Sequence, residues 1–155
     1  MSILNIGVPG ATAASLHRGF VKYIDSGGTT TQKTRNIDYL QIQIGTNAYW
    51  KRKEVTAMQE VMRIVRLRKY LLKALKNRNG VSPVIYTAKL PLTDRSFQNP
   101  FILELNADLE LVSRKVNLIG PSFNDIPTSR LVLKDRLHPS DFGYRVMAKY
   151  EKRAL

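Results

Sequence analysis

The amino-acid sequence predicts a single three-layer α/β domain with a mainly parallel sheet. Short apolar segments with strand character alternate with longer segments whose apolar residues recur at helical spacing. Such alternation places helices on the faces of a sheet of parallel strands. The chain has 155 residues, of which 43% are hydrophobic, and this suits one domain with a buried core. Neither a linker nor an internal repeat divides residues 1–155.

The first half of the chain begins this alternation. Residues 4–8 predict a strand, and the Pro-Gly pair that follows predicts a turn into a helix over residues 13–24. Residues 25–36 are rich in glycine and threonine, so we expect a loop there. Residues 38–44 predict the next strand, which ends at a Gly-Thr-Asn sequence.

The second half continues in the same way and closes with a helix that Ser140 or Asp141 can cap. The predicted elements are a long helix over 53–77, a strand over 84–88, a helix over 101–115, a strand over 116–119, a loop over 120–130 and a last helix over 140–151.

The composition excludes several kinds of site. The chain has no cysteine, which excludes disulfides, thiolate metal sites and a cysteine nucleophile, and is compatible with a reducing compartment or a virion. It has only two histidines, so we expect no histidine-rich metal site. We also expect no cofactor. We also find no secretory signal and no apolar run of the ~20 residues that span a bilayer.

The chain is strongly basic, with a net charge of +13 and a pI of about 10.2. Such a charge favours contact with nucleic acid, an anionic surface or an acidic protein. Many of the cations fall on the long predicted helix, where a solvated face whose aliphatic stems cover the core is the alternative interpretation. Tyr70 is the only aromatic residue in that run, so stacking on single strands is not indicated. The candidate contact residues are Arg63, Arg66, Arg68, Lys69, Lys73 and Lys76.

Three groups suited to acyl transfer follow predicted strands. Functional groups gather at the carboxyl ends of strands in this class of sheet. The backbone N–H of Gly10 and the side-chain amide of Asn47 could donate hydrogen bonds to an oxyanion. His138 could take and return a proton, while Asp135 could fix its tautomer and stabilise its charged form.

These residues lie in segments that resemble the SGNH (GDSL-type) hydrolases, a family of esterases, lipases and carbohydrate deacetylases. Residues 5–12 resemble the second block of the family, residues 44–47 the third, and residues 135–139 (Asp-Arg-Leu-His-Pro) the fifth. The resemblance implies a flavodoxin-like α/β fold of the SGNH-hydrolase type. It also implies an oxyanion hole formed by Gly10 and Asn47 and a catalytic pair formed by Asp135 and His138.

The sequence departs from the family in two places. Ala48 stands where the family commonly has an aspartate. The first block, a strand followed by Gly-Asp-Ser, has no counterpart, so we expect the first strand–helix unit and the nucleophilic serine to be missing. Ser2 and Ser15 are the serines nearest to the second block, and neither has the context of a nucleophile.

The missing unit has a structural consequence. In the family its strand lies in the middle of the sheet, and each backbone group left dry and unpaired costs about 1–3 kcal/mol. We therefore expect a strand from another chain, a rearranged sheet or an upstream segment to fill the gap.

Three functions remain open from the sequence. The chain could be an ester (acyl) hydrolase domain whose serine another chain supplies, so that a protein partner fills or covers the place of the central strand. It could instead be a catalytically inactive structural subunit of a large assembly, such as a virion or a ribosome-like particle, whose basic helix contacts nucleic acid or an acidic partner. A dedicated nucleic-acid-binding protein is the third possibility. The sequence selects no substrate.

Overall fold

The computed structural model of the chain describes residues 10–26, 37–51, 54–76, 79–116, 119–131, 135 and 138–154. The predicted strand at 4–8 and nearly all of the predicted loop at 25–36 lie outside the described residues.

A parallel sheet of three strands forms the centre of the described structure. The strands are β1 (Tyr39–Ile42), β2 (Val84–Lys89) and β3 (Ile119–Ser122), in the order β1-β2-β3. Tyr39 lies beside Val84, and the register continues without interruption along β1. Because all three strands run in the same direction, their carboxyl ends lie at one edge of the sheet.

Helices cover both faces of the sheet, which confirms the predicted three-layer α/β class. Helices α2 and α3 pack over one face with α1 beside α2, and the short α4 and the longer α5 pack over the other. The helices are α1 (Ala13–Asp25), α2 (Ala57–Ala74), α3 (Asn99–Val116), α4 (Thr128–Leu131) and α5 (Asp141–Ala154).

Capping side chains determine where the first two helices begin. The Thr12 and Ser15 side chains each bond the other's backbone N–H at the start of α1, so the hydroxyl of Ser15 has a structural role. Thr56 and Gln59 form the same reciprocal pair at the start of α2. The prediction that this helix begins at residue 53 was therefore wrong, because the cap fixes its start at Ala57.

The predicted strand at 116–119 was also misplaced. Val116 is the last residue of α3, and the strand begins at Ile119 and ends at Ser122. Pro121 lies within it and cannot donate to a neighbouring strand, which suits the shifted register between β2 and β3. The segment predicted as a loop over 120–130 thus holds the end of β3, a short 3-10 helix and most of α4.

The start of α5 is held closely against the end of α4. The Ser140 hydroxyl accepts the N–H of Gly143 at 3.2 Å, which confirms Ser140 as a cap. The backbone N–H and the hydroxyl of Ser140 also donate to the Leu131 carbonyl oxygen. A side-chain carbon at position 143 would overlap that oxygen, so the approach requires glycine. Within the described residues, no helix is long and apolar enough to cross a membrane.

Candidate active site

The sequence-predicted site residues lie in loops next to the helix–sheet framework. Gly10 precedes α1, and Asn47 lies in a 3-10 helix, Thr46–Lys51, a few residues beyond the carboxyl end of β1. Asp135 and His138 lie between α4 and α5. The loops therefore present these residues on a scaffold of packed elements, as is usual for catalytic groups.

The structure brings Asn47 to the segment that holds Gly10. Gly10 has a φ of +72°, a backbone conformation that favours glycine. The side-chain nitrogen Nδ2 of Asn47 donates to the carbonyl oxygen of Ala11 at 3.1 Å. A primary amide has two N–H donors, so the second one is left for another acceptor. The contact therefore ties Asn47 to the residue that follows Gly10.

Two small residues fix the position of Asn47. Gly45 has a φ of +137°, and a side-chain carbon there would lie 2.9 Å from the Leu105 side chain. Ala48 is buried at 1% exposure, and its N–H donates to the Gly45 carbonyl at 2.9 Å. Ala48 stands where the family that the sequence resembles commonly has an aspartate, and it packs in the core, so this position holds no unpaired buried charge.

Glu60 is a positioning residue that the sequence analysis did not identify. Its carboxylate oxygen Oε1 accepts the N–H of Ala13 at 2.8 Å, and its oxygen Oε2 lies 3.5 Å from Arg63 Nη1. The side chain is fully buried. The spacing of Ala57, Glu60 and Ile64 on the buried face of α2 is the signal that could have revealed it.

Asp135 and His138 form a two-point contact. Oδ2 of Asp135 lies 2.6 Å from Nδ1 of His138, and Oδ1 accepts the backbone N–H of His138 at 2.7 Å. Because an ionised carboxylate only accepts, the neutral ring carries its proton on Nδ1. This leaves the lone pair of Nε2 available to accept a proton, on a side chain that is 68% exposed.

Arg95 supports this pair from the loop after β2. Its Nη2 donates to the carbonyl oxygen of Asp135 at 3.2 Å. The cation thus holds the loop through its backbone, whereas His138 contacts the Asp135 carboxylate. No sequence motif marks Arg95, because the contact joins two loops that are far apart in the chain.

The six candidate cations, of which Lys76 lies just beyond the end of α2, divide into two groups. Arg66, Lys69 and Lys73 are exposed and recur every three or four residues, so they share one face of the helix. The remaining three make contacts within the chain: Arg63 with Glu60, Lys76 Nζ with the Ser82 hydroxyl at 2.6 Å, and Arg68 Nε with the Ile85 carbonyl at 2.9 Å. Burial lowers the pKa of Arg68. In the described part of the chain, no cluster of three histidine or acidic side chains could hold a metal ion.

Comparison with solved structures shows the same fold in lipolytic enzymes. A member of the lipolytic G-D-S-L family from Veillonella parvula superposes with a TM-score of 0.69 at 14% identity, covering 94% of this chain and 75% of that one. The acetylxylan esterase Axe2 from Geobacillus stearothermophilus has a TM-score of 0.65 at 17% identity, with coverages of 97% and 70%. The lipase/acylhydrolase from Enterococcus faecalis has a TM-score of 0.66 at 18% identity, with coverages of 97% and 73%.

These comparisons show that the chain has the flavodoxin-like α/β fold of the SGNH/GDSL-type hydrolases, as predicted. No protein-family model matches the chain, and no curated protein matches it significantly. Nearly all of this chain superposes on each neighbour, whereas a part of each neighbour has no counterpart here.

Proposed function

We propose that the chain is the part of an SGNH/GDSL-type ester (acyl) hydrolase that supplies the acid–base pair and the oxyanion donors. A nucleophilic serine from another polypeptide completes the site. The observation that carries the proposal is the contact between Asp135 and His138, because it orients the imidazole and leaves Nε2 to accept a proton.

The chemistry that fits these residues is nucleophilic acyl transfer. The serine hydroxyl gives its proton to Nε2 of His138 as its oxygen attacks the ester carbonyl carbon. The carbonyl oxygen becomes an oxyanion, which the N–H of Gly10 and the second amide N–H of Asn47 stabilise. His138 then gives the proton to the alcohol as the ester C–O bond breaks, which leaves the acyl group on the serine. Water next attacks the acyl carbon and gives a proton to His138, which passes it to the serine oxygen as the bond to the acyl group breaks.

The outer edge of β1 supports a missing neighbour. Among the described residues, β1 pairs only with β2. Tyr39 and Val84 lie side by side in this register and are 62% and 53% exposed. The buried oxygen Oε1 of Gln41, two residues along the same face, has no hydrogen-bond partner among the described residues.

The exposed side chains of Tyr39 and Val84 lie on the face of the sheet that α5 covers only in part. Val84 and Ala88 point to the same side of β2, and Ala88 packs in a core cluster with Met147 of α5. An added strand beside β1 with a helix over Tyr39 and Val84 would cover the apolar surface and pair the edge of β1 that the described residues leave without a neighbouring strand. This is the kind of unit that would carry the serine.

The test is activity-based labelling of natively isolated material with a fluorophosphonate, which reacts with activated serines. We expect label on a companion polypeptide that copurifies with this chain. We expect the His138→Ala variant to abolish the label, because the serine then has no base. The Phe142→Ala variant, changed at an exposed residue of α5, serves as the matched control.

Two results would overturn the proposal. Label on a serine of this chain would show that the nucleophile is internal. The absence of label from a complex that copurifies intact would show that the fold has no hydrolase activity in that assembly.

The alternative is a catalytically inactive SGNH-like subunit of a large assembly such as a virion or a ribosome-like particle. The observation that favours it is the exposed row of Arg66, Lys69 and Lys73 on a chain of net charge +13. Two results would support this role. The affinity for nucleic acid should fall steeply as the salt concentration rises, and it should be lower still when Arg66, Lys69 and Lys73 are all replaced by glutamine. The Arg68→Gln variant is the control, because that side chain contacts Ile85 inside the fold.

A further inference from the structure

Four aromatic side chains form a contact cluster at the surface. The ring centroid of Tyr49 lies 5.4 Å from that of Trp50, 5.7 Å from Phe97 and 6.1 Å from Phe101. Trp50 and Phe97 lie 6.2 Å apart at an interplanar angle of 64°. The inner rings of Tyr49 and Phe101 are buried, whereas Trp50 and Phe97 are 57% and 54% exposed. Two packed rings therefore support two that face solvent.

The cluster is joined to both halves of the candidate active site by short stretches of chain. Tyr49 and Trp50 follow Asn47 in the same 3-10 helix. Phe97 comes two residues after Arg95, whose guanidinium holds the backbone of Asp135. Short links of chain thus connect the aromatic rings to an oxyanion donor on one side and to the acid–base loop on the other.

A cavity of about 380 Å³ opens against the cluster. Apolar and aromatic side chains, among them Tyr49, Phe97, Phe101, Pro100 and Val55, line it together with Thr56 and the exposed Glu104, which is its one acidic group. Small-molecule pockets span about 300–1,000 Å³, so the space is large enough for a single aromatic ring.

We propose that this pocket binds an uncharged aryl group of the ester substrate. Aromatic rings attract other rings in tilted and offset geometries, and the exposed ring of Phe97 in the pocket wall offers such a contact. Trp50 lies outside the wall, with its ring centroid 6.2 Å from that of Phe97. The carboxylate of Glu104 repels an anionic ligand. The inference rests on the proposed function for the role of the pocket, because the aryl group is taken to be one side of the hydrolysed ester.

Trp50 provides the measurement, because it is the only tryptophan in the chain. The purified chain is titrated with benzyl alcohol, an uncharged aryl probe, and tryptophan fluorescence is recorded. We expect a saturable change, with benzoate binding more weakly than benzyl alcohol. The Phe97→Ala variant should weaken binding by about threefold to tenfold, which corresponds to the loss of one aromatic contact.

The matched control is Phe142→Ala, which removes an exposed phenylalanine from α5. We expect it to leave the affinity for benzyl alcohol unchanged, with circular dichroism confirming that both variants are folded. Three outcomes would overturn the proposal. The fluorescence response could be linear and non-saturating, benzoate and benzyl alcohol could bind with equal affinity, or both variants could lose the same affinity for benzyl alcohol. Tighter binding of glucose than of benzyl alcohol would also overturn it, because the aromatic cluster would then be a site for a sugar ring.

The titration requires no nucleophile, and this separates the two proposals. Saturable aryl binding without any serine labelling would retain the pocket and reject the hydrolase. Serine labelling without aryl binding would retain the hydrolase and reject the aryl pocket.

Discussion

The backbone N–H of Ala13 donates to the carboxylate of Glu60 at 2.8 Å, which ties the first turn of α1 to the buried face of α2. A negative charge at a helix N-terminus meets free N–H groups and the positive end of the helix dipole. Because Ala11 lies just before this turn and accepts from Asn47, the two side chains hold the Gly10 segment from two directions.

Replacing Glu60 by alanine should therefore destabilise the fold. The change leaves the buried N–H of Ala13 without its acceptor, and we expect the free energy of unfolding to fall by about 1–3 kcal/mol. Glu60→Gln keeps an acceptor oxygen and should cost less. Chemical denaturation measures both, and Glu54→Ala is the control because Glu54 is exposed. Equal stability of the Glu60→Ala and Glu54→Ala variants would contradict the assignment.

The contact between Gly143 and Leu131 gives a second stability test. A methyl group at position 143 would meet the Leu131 carbonyl, so Gly143→Ala should lower the free energy of unfolding by about 1–3 kcal/mol. Gly19 lies within α1 with nothing near its missing side chain, and Gly19→Ala should stabilise the helix by about 0.5–1 kcal/mol. The two substitutions add the same methyl group. If thermal or chemical unfolding shows that one lowers and the other raises the free energy of unfolding, the difference comes from packing.

The sequence was sufficient to predict the fold class because its periodicities are local. The spacing of apolar residues predicted α1 and β2 almost to the residue. Errors arose where a different local signal was stronger. The Thr56 cap moved the start of α2, and apolar residues at the end of α3 resembled the beginning of a strand that starts only at Ile119.

Two kinds of contact in the candidate site could be anticipated: the contact between residues close in sequence, and the approach of Asn47 to the Gly10 segment, which the family resemblance implied. Asp135 and His138 are three residues apart, so their pairing could be anticipated and is present. Arg95 and Glu60 act on residues 40 and 47 positions away, and such contacts depend on tertiary packing. For the same reason the sequence did not separate Arg68, which bonds Ile85 within the fold, from its exposed neighbours.

The tautomer of His138 offers a direct test of the acid–base geometry. The neutral ring should carry its proton on Nδ1, since the Asp135 carboxylate accepts there. Nitrogen NMR of the chain at a pH where the ring is neutral should show this tautomer. In Asp135→Ala the preference should disappear. His17, the only other histidine, contacts the Tyr70 ring and serves as an internal control whose signals should not change. The same tautomer mixture in both proteins would refute the pairing.

The ion pair between Lys89 and Glu110 predicts a pH effect at the end of β2. The hydrogen bond from Lys89, at 2.8 Å, and then its charge hold the pKa of Glu110 below the ordinary value, and Arg114 adds to this at 4.0 Å. A carboxylate with a lowered pKa contributes stability above its unfolded pKa and loses that contribution as the pH falls through the folded value. Carboxyl NMR titration should show a higher Glu110 pKa in Lys89→Met and a smaller rise in Arg114→Met. An unchanged pKa in Lys89→Met would mean that this exposed pair does not persist in solution.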